Sequence, residues 1–214
     1  MISFVDLVKS ECEKHNVRFK LSQVTVMPCN NDSTLLVNGY FSEGRDGEPG
    51  ELAVSCGVDE DEWMLTLAHE YQHMQQWIDK SPYFEAMTVA GSIDTTDLID
   101  LWTNNHIELN DEQRQHAIMS SLMCELDCER RTLEYIKNSS YFKHIDPKEY
   151  AQKANAYVLF YHLIGKYRRW YSEGKEPYRI PAIIMKMPTD LHTLDYAEFP
   201  SWAETLYVEH ALAE

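Results

Sequence analysis

Apolar side chains at Phe4, Leu7, Val8 and Cys12 recur at helical spacing and predict a short amphipathic helix over residues 2–15. The period then shortens. Val17–Leu21, Val24–Met27, Leu35–Phe41 and Leu52–Cys56 read as short strands. They are separated by turn chemistry at Asn30-Asn31-Asp32-Ser33 and at the Gly44, Gly47, Pro49, Gly50 cluster, which together predict a small antiparallel sheet. From residue 59 onward the spacing is helical. Asp59, with Glu62 three positions later, marks the start of a helix from about Glu60 to Asp79, stopped by Lys80-Ser81-Pro82. Further helices are predicted over 96–105, over Asp111–Lys137 entered at Asn110, and over Lys148–Tyr171 entered at Asp146-Pro147 and closed near Gly174. Pro177, Pro181 and Pro188 break the following stretch into extended or turn segments, and Ser201–Ala213 reads as a last helix. Without a repeat, a low-complexity tract or a dividing linker, the expectation is a single α+β domain over 1–214, a small N-terminal sheet followed by a mainly helical remainder.

Composition narrows the function classes. The chain has 214 residues, 19 Lys+Arg against 35 Asp+Glu, a formal charge of −16 and 44% hydrophobic residues. It has the apolar content to bury a core, and its charge opposes nucleic acid, whose binding rests on Lys and Arg displacing condensed counterions. Cys12, Cys29, Cys56, Cys124 and Cys128 are odd in number and contain no CxxC pair, so reduced thiols are expected and a cysteine zinc knuckle is not. The N-terminal stretch has no continuous apolar segment of the signal-peptide kind, and no run approaches the roughly 20 residues that span a bilayer. A cytoplasmic protein with no membrane partner is the expectation.

The predicted 60–79 helix contains His69-Glu70-Tyr71-Gln72-His73, an HExxH pattern. Histidines four apart on a helix lie one above the other, so both imidazoles can reach one metal ion while Glu70 reaches a water beside it. On the helical wheel, Met64, Leu67, Ala68, Tyr71, Met74 and Ile78 form an apolar face. Thr66, His69, Glu70, His73 and Gln76 gather on another, off the expected core. The plain alternative is that these are partly exposed, solvated helix residues.

A catalytic zinc site takes three protein ligands and keeps one position open. The extended pattern HExxHxxGxxH fails, because Gln76 stands where the glycine should be and Asp79 where the last ligand should be; a continuing helix turns Asp79 about 240° from His73. His106 and His116 fit no pattern. The better third ligand lies in the strongest downstream helix, where Glu125 and Glu129 sit four apart on a stripe continued by Ile118, Leu122 and Thr132. A buried carboxylate is costly unless paired or metal-bound. Glu125 is expected to bind the metal and Glu129 to accept the second ring N–H of a ligating histidine. The competing reading pairs both acids with Arg130, Arg131 or Lys137 on a solvated face. Asp127 turns away, and Cys124 and Cys128 read as small hydrophobes packing the helix.

These residues resemble the zincin metallopeptidases, and within them the gluzincins, which carry HExxH on one helix and a glutamate on a later one, often with an acidic residue four positions on. The matching positions are His69, Glu70, His73, Glu125 and Glu129, and the resemblance covers about residues 50–135. The chain departs by having Glu at 129 where Asp is more usual, and by lacking a clear Asn-Ala edge-strand signature. Its compact acidic look is also similar to small metallopeptidase-like proteins of tailed phages. The resemblance implies a zinc ion, a peptide or protein substrate, and hydrolysis in which Glu70 takes a proton from water and delivers it to the leaving amine. An oxyanion donor would come from a downstream helix, where Tyr161 is the first choice and His162 the second; aromatic residues such as Tyr157 and Tyr161 also serve simply as core. The alternative function is a zincin-like module that keeps zinc for a structural or regulatory role without turnover.

Overall fold

The computed structural model describes residues 3–29, 32–44, 47–88, 94–172 and 174–212. They fall into two compact units, residues 1–81 and 82–214. The architecture is α+β, with five short strands in the first unit and a helical second unit.

In the first unit, helix α1 (Phe4–Lys14) starts at Ser3, whose Oγ accepts from the Asp6 N–H at 3.1 Å while Asp6 reaches back to the Ser3 backbone, a reciprocal capping box. It buries Phe4, Val8 and Cys12, three of the four positions its spacing singled out. Strands β1 (Val17–Ser22), β5 (Gly50–Ser55) and β4 (Gly39–Ser42) form one sheet in the order β1-β5-β4, and β2 (Met27–Cys29) pairs with β3 (Asp32–Val37) in a second. The larger sheet is mixed, not antiparallel as expected: β1 runs parallel to β5, and only β4 opposes it. Everything from β2 to β4 intervenes between β1 and β5, so they are a crossover pair and not a hairpin.

Two further expectations shift. The strand expected at Val24–Met27 lies at Met27–Cys29, and the run Leu35–Phe41 divides at Asn38 between two sheets. The Asn38 carbonyl accepts from the Ser55 N–H at 2.7 Å, which holds the crossing point against β5. Of the expected 30–33 turn, Asp32 and Ser33 lie in β3, and Asn30 and Asn31 lie outside the described residues.

Cross-strand partners share a face, so the pairs Gly39 with Val54 and Phe41 with Leu52 place these four on one side. Helix α2 (Glu60–Ile78) packs there, with Phe41 and Trp77 ring centroids 5.7 Å apart. Helix α1 joins through a Phe4–Tyr71 edge contact at 6.2 Å and through the Cys12 and Met74 sulfurs, 3.7 Å apart. Tyr40 and Ala53 face the other way and are covered by Met27 of the hairpin.

The second unit comprises α3 (Pro82–Glu85), α4 (Thr95–Thr103), α5 (Asp111–Asn138), α6 (Pro147–Tyr167), α7 (Pro181–Ile184) and α8 (Ala203–His210), with single 3-10 turns at Ser140–Phe142 and Pro177–Arg179. Asn110 caps α5 in a reciprocal box with Gln113, and Asp146 caps α6 ahead of Pro147, both where the sequence places them. Residue 213, the end of the expected last helix, lies outside the described residues. Helix α6 stops at Arg168, short of Tyr171, because Arg168 turns left-handed (φ 53°) and its guanidinium donates to the Trp102 and Ile107 carbonyls and to Glu108. Trp170 and Tyr171 then fold back onto Tyr161 and Phe160.

A fully buried amide helps hold the proline-broken tail. Asn155 on α6 donates to the Pro188 and Asp190 carbonyls at 3.0 and 2.8 Å and accepts from the Tyr196 hydroxyl. Replacing Asn155 with Ala leaves the buried Tyr196 hydroxyl without its acceptor and two half-buried carbonyls without a donor, and an orphaned buried group costs about 1–3 kcal/mol. The variant is expected to lose about 3 kcal/mol in urea unfolding, and a loss under 1 kcal/mol would show that the tail is held elsewhere.

Candidate metal centre on helix α2

Helix α2 begins at Asp59, whose carboxylate accepts from the Asp61 N–H at 3.0 Å, and Glu60, Asp61 and Glu62 place negative charge at the positive end of the helix dipole. It runs unbroken through the HExxH residues to Ile78. Asp79 is the exposed C-cap, with its backbone N–H bonded to the Gln75 carbonyl.

The helix brings the Nε2 atoms of its two histidines together, with the rings edge-on. Their Nε2 atoms are 3.1 Å apart, with ring centroids at 4.7 Å and planes at 84°. Two nitrogens on a tetrahedral zinc, each about 2.0–2.1 Å from it, stand about 3.3 Å apart, so this pair can hold a metal ion with almost no movement. His73 Nδ1 is 2.8 Å from Gln76 Oε1, an acceptor, so Nδ1 carries the proton and Nε2 keeps its lone pair.

The wheel placed Glu70 and Gln76 off the core, and here the structure corrects it. Glu70 is 7% exposed and Gln76 fully buried, while His69 and His73 are half-buried. The close approach of β4 is one cause. A Cβ at Gly39 would lie 2.8 Å from Thr66 Cγ2, 3.0 Å from Glu70 Cγ and 3.1 Å from the Ala53 carbonyl. Only glycine lets the strand lie against the stem of Glu70.

The downstream candidates belong to the second unit. On α5, Glu125 and Glu129 are buried (9% and 6% exposed) and Cys124 and Cys128 fully so, as the stripe implies. The cations of the solvated-face reading are engaged with other groups: Arg131 pairs with Asp127, Lys137 with Glu134, and Arg130 donates to the Leu191 carbonyl. Glu129 accepts from the Tyr150 hydroxyl at 2.5 Å. Burial, reinforced by Glu129, pushes the Tyr150 hydroxyl well above the ordinary phenol range; burial and then Glu125 do the same to Tyr157. These phenols are therefore donors. His106 and His116 are exposed.

Of the expected oxyanion donors, Tyr161 is 2% exposed and built into the core, its hydroxyl 3.2 Å from that of Tyr157 and its ring against Trp170. His162 donates from Nε2 to the Tyr196 carbonyl at 3.1 Å and packs on Phe199. Both have structural duties within the second unit. The residue that sequence reasoning passed over is Gln76; its signal was present, since i and i+3 on a helix are neighbours and His73 and Gln76 share a face.

No family model matches the chain, and neither does any curated protein or solved structure.

Two outcomes follow from these positions. Gly39→Ala should destabilise by about 1–3 kcal/mol in chemical denaturation, the range for overpacking, because Thr66, Glu70 and the Ala53 carbonyl would all have to give way; an unchanged midpoint would mean that β4 moves freely. Burial lowers the pKa of His162, so the unfolded chain protonates first as pH falls. Stability should be complete above about pH 6.5 and decline below it until the folded His162 also protonates. His162→Gln should flatten that part of the stability profile, and an unaltered profile would contradict the assignment.

Proposed function

We propose that the chain is a zinc-dependent peptidase whose metal sits on His69 and His73. The observation that carries this reading is the 3.1 Å separation of two Nε2 atoms on consecutive turns of one helix, close to the spacing of two ligands on tetrahedral zinc. The resemblance to gluzincins supports it through the same residues. The third ligand would come from α5. Glu125 is the first choice, and Cys128, a buried thiol, the second.

Held there, a zinc ion would supply an acidified water and a Lewis acid for a carbonyl oxygen. Glu70, buried and one residue from His69, takes the proton from the attacking water and passes it to the leaving amine. The acidic surface favours cationic peptide substrates at low salt.

Protein purified without added metal should contain about one zinc per chain by elemental analysis, and His73→Ala should contain none. Zinc-free wild type would overturn the reading. Glu70→Gln should keep the metal and lose about 10²–10⁴-fold in peptide hydrolysis; full activity in that variant would refute the base. Zinc-loaded wild type without peptidase activity would favour the non-catalytic module. For the third ligand, Glu125→Ala should weaken zinc binding by more than about 100-fold, beyond the effect of losing an outer partner. A thiolate charge-transfer band in the cobalt-substituted protein, absent from Cys128→Ser, would assign Cys128 instead.

A further inference from the structure

Gln76 is fully buried on α2, one turn beyond His73, yet carries a primary amide among the helix's packing residues. Burying an amide costs free energy unless its hydrogen bonds are made. Its Oε1 lies 2.8 Å from His73 Nδ1, and its backbone carbonyl accepts from the Ser81 N–H at 2.8 Å just past the helix end. The backbone of Gln76 is thus pinned by the turn that terminates α2, while its side chain points back along the helix to the imidazole.

We infer that Gln76 is the positioning residue of the histidine pair: by accepting the Nδ1 proton it holds His73 in the one neutral tautomer whose Nε2 lone pair faces His69. Neutral imidazole bears its proton on one nitrogen or the other, and the hydrogen bond made by one decides the state of the other. A free histidine favours neither arrangement strongly enough to preset a ligand, and rotation about its side-chain bonds would have to be frozen on binding. An amide oxygen in a fully buried, packed position does both at once. Metal-ligating histidines characteristically bond their second nitrogen to an acceptor, commonly a carboxylate or a backbone carbonyl. Here that acceptor is supplied from the same helix, one turn on.

The effect on metal affinity rests on the zinc reading of His69 and His73, but the tautomer does not, and the experiment separates them. Nitrogen-15 correlation spectra of the metal-free wild type should show His73 protonated at Nδ1. A proton on Nε2 would overturn the inference whether or not zinc binds. Gln76→Leu, close in size and without an acceptor, should lose the preference for the Nδ1–H form and weaken zinc binding by about 10–100-fold. Gln76→Glu, which restores an acceptor oxygen, should recover both. Circular dichroism checks that each variant folds, and the wild-type tautomer decides the matter if one does not. Zinc-free wild type with an Nδ1–H His73 would remove the metal reading and leave Gln76 as the tautomer lock. Zinc-loaded wild type with unchanged affinity and tautomer in Gln76→Leu would do the reverse.

Discussion

The chemistry of the first unit depends on how closely helix α2 can approach strand β4. A helix usually rests on a sheet through side chains of both, which keeps their backbones about 10 Å apart and its polar residues in water. At Gly39 the strand contributes no side chain, and Thr66 and Glu70 occupy the space instead. Adding one methyl group would bring a carbon within 3.1 Å of the neighbouring strand's Ala53 carbonyl, which cannot move without breaking the β4–β5 ladder. The carboxylate is therefore carried inside, while the helix sets Tyr71 and Met74 against Phe4 and Cys12 and Trp77 against Phe41.

That constraint explains which parts were legible in the sequence. Helix α2 was readable because its cap, its apolar stripe and its stop signal agree with one another. The spacing of His69 and His73 was readable because helix geometry alone fixes it. The burial of Glu70 and Gln76 was not, since a helical wheel records the residues of one helix and nothing of what packs on it, such as Gly39 against Glu70. The same limit applies to Leu35–Phe41, a continuous β-prone run that the structure divides at Asn38 between two sheets, and to α6, which ends at Arg168 through partners more than sixty residues away. Local preference draws elements well; where they stop and what they bury are decided by residues distant in sequence.

Helix α5 shows a second kind of ambiguity. Its two glutamates are buried as the pattern requires, but burial of an acid identifies only the need for partners. Phenols meet part of that need: Tyr150 donates to Glu129, and Glu125 lies close enough to Tyr157 and Tyr171 to raise their hydroxyls further above the ordinary range. A carboxylate satisfied by phenols is stable without any metal, and the sequence offers no way to choose, because tyrosines of α6 and of the segment after it are equally good core residues.

The histidine pair discriminates where the acids do not. Two nitrogens 3.1 Å apart must have something between them, for two lone pairs in contact repel. With His73 protonated at Nδ1, its Nε2 can only accept, so the occupant comes from the other side: a proton on His69 Nε2, or a cation shared by both rings. The proton requires His69 to adopt the tautomer opposite to that of its neighbour; the cation requires the two to match. One fixed hydrogen bond at Gln76 thus reduces the choice at this position to the tautomer of a single residue, His69. A metal ion gains both lone pairs at the cost of moving one proton from one nitrogen of that ring to the other, a rearrangement within a neutral imidazole that demands no change in fold and no new buried charge beyond the ion itself.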